Sequence, residues 1–483
     1  MLNIKTWLAS NSSDYYKNYI KCYNFYIKTL ATDLKLYHPS ILMQLFANAQ
    51  TIRSEIINLA ISCGLDSPCY TKMLDYTIKL FETQGLGKDY YGYHNITHEL
   101  EVTYVSLIVL KWKSMLNNIK LEDFKYLYAA ALFHDFDPQK SVDKPHEDNV
   151  IKFLTYDSNV KVLCDDAGLD IDIIKALILR TTYPWKGKLK EHAEQQISEF
   201  FNKSPLTKNS QEMQEYYTRL GWLLSVIDRI SGYSLGDFGK AMDMAKKNAH
   251  ALAWSPSLIV KRSVAYFEDL LNEEGEMCDT VLRALPKDMR KNFMDTVTGF
   301  LNLRQQEIKI QSDYLYENLR LIPKIESMRI REDAEFQQTL VEIYNELPTP
   351  LQVNREHFQN TIQDSKTILN TLRVGDCNGP IIGFAKGGPL ENYMLRPEII
   401  DSNYGKHNTV FLEPIALKMG YWGLQGGSEM RHLFTMQAHS MNYKYLTSFA
   451  LRDVIQRRIE SNETAEFVTK FDPERWDYYR IEL

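Results

Sequence analysis

From Leu2 to about Leu319, apolar residues recur every three or four positions with only short Gly or Pro interruptions, and near Pro323 that spacing gives way to short strand-like runs. The stretches "YLYAAALFHDF", "VIKFL", "IDIIKALILRTTY" and "YYTRLGWLLSVIDRISGY" each carry the spacing of a helix with a buried face. The change of period restricts the chain to a helical part followed by a mixed part. A chain of 483 residues also exceeds what one core supports, since cores stop growing near about 250 to 300 residues. The expected class is therefore multidomain, an all-α helical bundle followed by a mixed α/β domain. Residues 1–80 are expected to form an N-terminal helical extension, 81–322 the helical domain and 325–483 the α/β domain, with the boundary near 320 to 328.

Within the second part, "ESMRIRE" reads as a short strand, "DAEFQQTLVEIYNEL" and "REHFQNTIQDSKTIL" as amphipathic helices, and "NTLRVGD" and "GPIIGFAKGG" as strands. "NTVFLEPIALKM" follows as a strand, then a glycine-rich turn, a long helix, the strand "YKYLTSFAL", another helix and a final "WDYYRIEL". A net charge of −6 gives no general attraction to polyphosphate backbones, so no nucleic-acid partner is expected. The six cysteines form no CxxC pair, which argues against a zinc knuckle or a disulfide scaffold and fits a reducing cytoplasm. The start "MLNIKTWLASNSSDYY" lacks a charged stretch followed by an apolar run, and eighteen consecutive apolar residues occur nowhere. Neither export nor a membrane span is expected.

The chemistry-bearing residues of the helical part sit where apolar helices have no use for them. His94 and His98 in "YYGYHNITHELEV" lie one turn apart and face the same way if a helix begins near Asn95. His134 and Asp135 stand side by side at the end of a very apolar helix, where burying an acid and an imidazole is costly without compensation. Asp228 interrupts the apolar run "WLLSVIDRISGY", and aspartate is rarely buried without a partner. A divalent cation would compensate all of them. His98, His134, Asp135 and Asp228 make a mixed nitrogen and oxygen ligand set suited to zinc, iron, manganese or nickel, with magnesium a further candidate. Singly, each has a plain reading as well: an aspartate inside a helix also caps a neighbouring helix.

The run "YHNITHELEV", the "HD" of "LFHDFDP" and the aspartate of "LLSVIDRISGY" resemble the HD-domain phosphohydrolase superfamily, which includes the helical cyclic-nucleotide phosphodiesterases. The resemblance covers roughly residues 80–310. By position it implies that His98, His134, Asp135 and Asp228 are metal ligands, and that His94 donates a proton to the departing oxygen. The implied substrate is a nucleotide or another phosphate ester. Phosphodiesterases continue "HD" with a second histidine and Pro-Gly, whereas Asp137 and Pro138 follow here. His146 and Glu147 in "KPHEDNV" are candidates for a second metal or for substrate, and His146 is equally a surface residue at a helix start. In "ILRTTYPWKG", Arg180, Thr181, Thr182 and Lys186 form either a phosphate-binding group or a solvated helix end, and Arg229 is an ion-pair candidate.

In the second part, Gly420, Gly423, Gly426 and Gly427 follow a strand ending near Met419 and lead into a helix beginning around Ser428. Glycines there let the backbone approach a ligand and leave amides free at the helix start, which suits a pyrophosphate. The order of elements, with "MRIRED" as first strand, "GPIIGFAKGG" as central hairpin strand and "GYWGLQGGS" as loop, is similar to the GNAT acetyltransferase superfamily over about 325–483. That resemblance implies acetyl-CoA as cofactor, with Gly423, Leu424, Gln425, Gly426, Gly427 and Ser428 at its pyrophosphate. It also implies an amine acceptor, with Glu413 as the group that deprotonates it. The helix "RDVIQRRIE" lacks the tyrosine that often protonates the leaving thiolate. The combined expectation is a metal-dependent phosphohydrolase joined to an N-acyltransferase; the alternative is a regulatory protein that binds a nucleotide and senses acyl-CoA without turnover.

Overall fold

The computed structural model describes residues 49–483, apart from 85, 87–89, 112–118, 121–122, 141–143, 253, 348–350, 353–354, 462 and 473–474. Most of the expected N-terminal extension therefore lies outside the described residues. The chain divides into two compact units: one runs to Leu252 and resumes over Arg262–Phe300, and the other takes Ala253–Lys261 and Leu301–Leu483. The division falls inside the long helix Lys287–Tyr316, whereas the change of sequence texture marks where strands begin.

The first unit is helical throughout its described residues. Its central element is Ile96–Lys111, whose residues His98 to Leu110 are all buried. A helix apolar on every side belongs in the middle of a bundle. Asn95 starts it: the Asn95 side-chain oxygen accepts from the backbone N–H of Thr97 at 2.9 Å and of His98 at 3.3 Å, satisfying amides that the helix leaves open. The helix Phe124–Phe133 is equally buried along its length and ends at His134. The helix Gln211–Ser234 is capped by Ser210, which accepts from Met213 N at 3.3 Å. Gly221 in that helix lies so close to the chain at Leu177 and Arg180 that a Cβ there would meet Arg180 Cβ at 3.0 Å, so a glycine allows the close crossing. No described helix is long and apolar enough to cross a membrane.

The second unit is built on one sheet of eight strands: β1 Leu321–Ile325, β2 Ile368–Val374, β3 Ile381–Pro389, β4 Thr409–Leu412, β5 Ala416–Leu417, β6 Tyr445–Leu451, β7 Ala465–Thr469 and β8 Trp476–Glu482. They lie in the order β1-β2-β3-β4-β6-β8-β7, with β5 paired to β3. Only the β4–β6 pair is parallel, in the register Thr409↔Tyr445 to Leu412↔Ser448; the other pairs are antiparallel. One face packs Leu372, Val410 and Leu446 under Met430, Phe434 and Ile455. The other packs Leu369 and Phe384 under Phe336, Leu340, Tyr344 and Phe358.

Several expectations are corrected here. "MRIRED" is not the first strand: Met328–Arg331 is a helical turn after Ser327, and the strand is Leu321–Ile325, which contains Pro323. Proline lacks the N–H a central strand needs, and β1 tolerates it as the outermost strand of the order. "REHFQNTIQDSKTIL" is a helix only over Arg355–Thr361. Asp364 accepts the backbone N–H of Thr367 at 3.0 Å in a turn, and Ile368 already belongs to β2. The strand β7, "AEFVT", was not anticipated; its residues are half-buried or exposed and carry little apolar signal.

Candidate functional site

In the helical unit, side chains from three elements meet at one point. His98 comes from Ile96–Lys111, His134 and Asp135 from the end of Phe124–Phe133, and Asp228 from Gln211–Ser234. His98 Nε2 is 2.9 Å from Asp228 Oδ1 and 3.5 Å from Asp135 Oδ2. His134 Nε2 is 3.5 Å from the same two oxygens. His94 precedes the helix in a turn set by Gly92, at φ 66°, where a Cβ would meet the Lys247 carbonyl oxygen at 2.6 Å. Its Nδ1 lies 2.7 Å from Asp135 Oδ2, and its ring stands perpendicular to that of His98 at 5.5 Å. Because a carboxylate only accepts, His94 donates there from Nδ1 and leaves Nε2 for another partner.

The tautomer of His134 follows from its surroundings. Its Nδ1 lies 3.0 Å from the carbonyl oxygen of Ala131, an acceptor only, so the proton sits on Nδ1. Nε2 is buried, has no hydrogen-bond partner, and faces the two carboxylates. A buried polar atom left open toward acids is the arrangement a cation completes. Three overlapping groups of possible ligand atoms occur here, His94–His98–Asp135, His98–His134–Asp228 and Glu99–His134–Asp135, each within 4.8 Å. The donor set of imidazole nitrogen and carboxylate oxygen fits a divalent transition metal.

Without a cation, the same carboxylates favour a proton on these imidazoles. Burial pulls the His98 imidazole down, but its hydrogen bond to Asp228 and the charges of Asp228 and Asp135 outweigh this and raise it. Burial likewise opposes protonation of His134, and the charges of Glu99 and Asp135 lift it well above the ordinary histidine value. Burial pushes Asp135 up, while His134 and His94 bring it down to about 2. Asp228 is held below its ordinary value by His134 and His98 against the same burial cost.

A pH dependence follows. In the metal-free protein, the raised histidines stabilise the fold fully below their unfolded value of 6.5 and lose that contribution as pH rises through their folded values. Asp135 contributes above its unfolded value of 3.8 and loses that contribution as pH falls toward about 2. Protons and metal compete for the same nitrogens. Metal affinity is therefore expected to fall as pH drops through the raised histidine values, and loading at pH 7 to release protons. Calorimetric titration with Zn²⁺ in two buffers of different ionisation enthalpy measures this directly; identical heats in both would contradict it.

The other residues singled out in the helical part are placed as follows. His146 is the half-buried N-cap of Glu147–Tyr156. Burial pushes Glu147 up, with Lys144 opposing and Asp135 close enough to add to the rise. Asp137 is fully buried and accepts from the N–H groups of Gln139 at 2.8 Å and His146 at 3.1 Å and from the Asn149 side chain at 3.0 Å, so it organises the turn after the ligands. Arg180, expected at a solvated helix end or a phosphate, is buried, pairs with Glu274 at 3.2 Å and packs on the Trp185 ring at 4.1 Å. Lys186 pairs with Asp269, and Thr181 and Thr182 are buried. Arg229 lies on the rings of Tyr183 and Tyr266 and 3.6 Å from Asp269. Sequence reasoning missed Glu99, which is fully buried beside His134; its signal was a carboxylate next to a ligand histidine inside an apolar helix.

In the sheet unit, β4 and β6 pair only as far as Leu412 and Ser448. The chain then turns at Glu413 and Pro414 toward β5, which pairs with β3, while β6 runs on to Leu451 against β8. The sheet thus opens at the carboxyl ends of its parallel pair, the position where ligands bind in open α/β sheets. The glycine turn follows β5 at once. Gly420 and Gly423 have φ 96° and 85°, Gln425 is left-handed at φ 65°, and the helix begins at Gly426, two residues before the expected start. No side chain caps that helix. Gly426 packs against Leu372, where an added Cβ would collide with the leucine Cδ2. Leu424 and Gly426 are buried, while Gly423, Gln425 and Ser428 are exposed.

Glu413 is buried at the opening. Its Oε1 accepts from Lys386 Nζ and from the Tyr393 hydroxyl at 2.8 Å, and its Oε2 is buried with no hydrogen-bond partner. Burial and the neighbouring Glu413 hold the Tyr393 phenol well above its ordinary value. Glu413, expected as the group that deprotonates an amine, is therefore anchored through one oxygen, with the other buried and unpartnered.

No protein-family profile and no curated protein matches the sequence. Among solved structures, the chain is similar to a GNAT-family acetyltransferase from Staphylococcus aureus Mu50, at 13% identity and TM-score 0.23 over 34% of this chain and 99% of that one. It is similar to an IAA acetyltransferase from Bacillus cereus ATCC 14579, at 13% identity and TM-score 0.22 over 34% of this chain and 100% of that one. A third is an N-acetyltransferase from S. aureus Mu50, at 17% identity and TM-score 0.21 over 34% and 98%. Likenesses at these scores assign no chemistry to this chain.

Proposed function

We propose that the chain joins a metal-dependent phosphohydrolase, in its helical unit, to an acyl-CoA-dependent N-acyltransferase module in its sheet unit. The observation that carries the first half is the meeting of His98 Nε2, His134 Nε2, Asp135 Oδ2 and Asp228 Oδ1 within 3.5 Å along each histidine-to-carboxylate pair. His98, His134, Asp135 and Asp228 would hold the divalent cation, which would lower the pKa of water toward ~7 and screen phosphate charge. His94, donating from Nδ1 to Asp135, is oriented with Nε2 left to serve as proton donor to the leaving oxygen. The substrate class is a nucleotide or another phosphate ester. Phosphate release by the full chain, assayed with Zn²⁺, Mn²⁺, Fe²⁺, Ni²⁺ and Mg²⁺ against a panel of nucleotides and phosphomonoesters, tests this half; no turnover on any of them would overturn it.

The second half rests on the uncapped helix at Gly426 beside the opening between β4 and β6. The positive end of the helix suits the pyrophosphate of acetyl-CoA, with Glu413 as acceptor of the amine proton. Gly426→Val is expected to weaken acetyl-CoA binding at least tenfold in a calorimetric titration, because the side chain intrudes on Leu372 and shifts the turn. Unchanged heat in the variant, or no heat with the wild type, would remove acyl-CoA from the account.

A further inference from the structure

The metal-site reading assigns no task to the carboxylate that touches two of its ligands. Glu99 follows His98 on the helix Ile96–Lys111 and is fully buried. Its Oε2 lies 3.3 Å from His134 Nδ1, and its Oε1 accepts from the backbone N–H of Asp135 at 3.4 Å. The Nδ1 proton of His134 is already directed to the Ala131 carbonyl at 3.0 Å, and Glu99 Oε2 has no hydrogen bond of its own. The carboxylate therefore stands against the His134 ring and the Asp135 backbone at once, with burial raising its pKa and the charge of His134 opposing that rise. A buried negative charge without a full hydrogen-bond complement is costly, and it persists only where positive charge compensates it.

We propose that Glu99 is a positioning residue of the cation site: it fixes the His134–Asp135 dipeptide against His98 and raises the electron density of His134 Nε2 toward the metal. This rests on the metal-site reading above. Partners behind a ligating imidazole set its orientation and basicity, and their loss typically costs about 10- to 100-fold in metal affinity. Glu99 acts on both members of the pair at once, through the ring of His134 and the backbone of Asp135, while its neighbour His98 supplies a third ligand from the same helix. The other buried glutamate of this helix, Glu101, has Lys240 as its partner, whereas Glu99 faces the His134–Asp135 pair.

The test uses the full chain, Glu99→Gln and Glu99→Asp, with Zn²⁺ affinity measured by chelator competition and Co²⁺ absorption as a probe of the ligand field. Glu99→Gln keeps shape and removes charge, so about a 10- to 100-fold loss of affinity with a shifted Co²⁺ spectrum is expected, together with an unchanged helical circular dichroism signal. Glu99→Asp, which keeps the charge, should recover part of that loss. Affinity within twofold of wild type and an unshifted spectrum in Glu99→Gln would overturn the proposal. Should Glu99→Gln not fold, wild-type affinity in Glu99→Asp with a displaced carboxylate would overturn it as well. Failure of the site reading looks different: the wild type itself would then bind neither Zn²⁺ nor Co²⁺.

Discussion

Asp135→Ala is expected to lose its bound metal and at least about 10³-fold of phosphohydrolase activity while acetyl-CoA binding stays intact. Asp135 Oδ2 stands 2.7 Å from His94 and 3.5 Å from both His98 and His134, so one truncation removes a ligand and the anchor of the proton donor together. A metal acting on phosphate supplies several kcal/mol of transition-state stabilisation, and about 1.36 kcal/mol corresponds to each decade of rate. The loop proposed for acetyl-CoA belongs to the other compact unit, so binding there is expected to be unaffected. Metal content by elemental analysis, phosphate release and a calorimetric titration with acetyl-CoA read the three quantities separately. Retained metal with retained turnover contradicts the assignment, and loss of acetyl-CoA binding alongside the metal would show instead that the substitution unfolds the chain.

Lys386→Met is expected to destabilise the sheet unit by about 3 to 5 kcal/mol, the cost of leaving a buried charge without its partner. The Lys386 side chain is 0% exposed and that of Glu413 2% exposed, so losing the ammonium leaves the carboxylate poorly compensated. Among the described residues, only the Tyr393 hydroxyl, at 2.8 Å, would remain on the Glu413 carboxylate. At about 2 to 4 °C per kcal/mol for a unit of this size, the melting midpoint should fall by roughly 6 to 20 °C. Combining Lys386→Met with Glu413→Leu removes both charges and should restore most of the loss, since an apolar replacement for a buried pair is often neutral. Acyl transfer should stay absent in the double variant even with stability recovered, because Glu413 is the proposed proton acceptor. A single variant within about 1 kcal/mol of wild type would show that the pair is not held together as described.

The helical half was legible in the sequence because its signals are local and costly. His134, Asp135 and Asp228 sit in runs of buried apolar residues, and polar groups in such places demand a partner. Glu99 was passed over because adjacent residues on a helix point about 100° apart, and only the packing of the neighbouring helix puts His134 on that second face. Arg180 carries the same lesson in reverse: read as solvated or phosphate-bound, it is buried against Glu274 and Trp185, partners 94 and 5 residues away that spacing does not reveal. In the sheet half, the alternating strands and the glycine turn were legible, whereas the first strand was misplaced onto Met328–Arg331 because Pro323 argues against a strand unless its edge position is known. The break between β4 and β5 at Glu413 and Pro414, which opens the sheet, depends on pairing with β3 and β6 and so on contacts far along the chain.

The proposed phosphohydrolase depends on four side chains holding one cation. Crystals of the full chain grown with Zn²⁺ and measured at the zinc absorption edge test it most directly. One anomalous peak is expected about 2.0 to 2.2 Å from His98 Nε2, His134 Nε2, Asp135 Oδ2 and Asp228 Oδ1. Zinc bound elsewhere on the chain, with these four groups closed on one another, would contradict it.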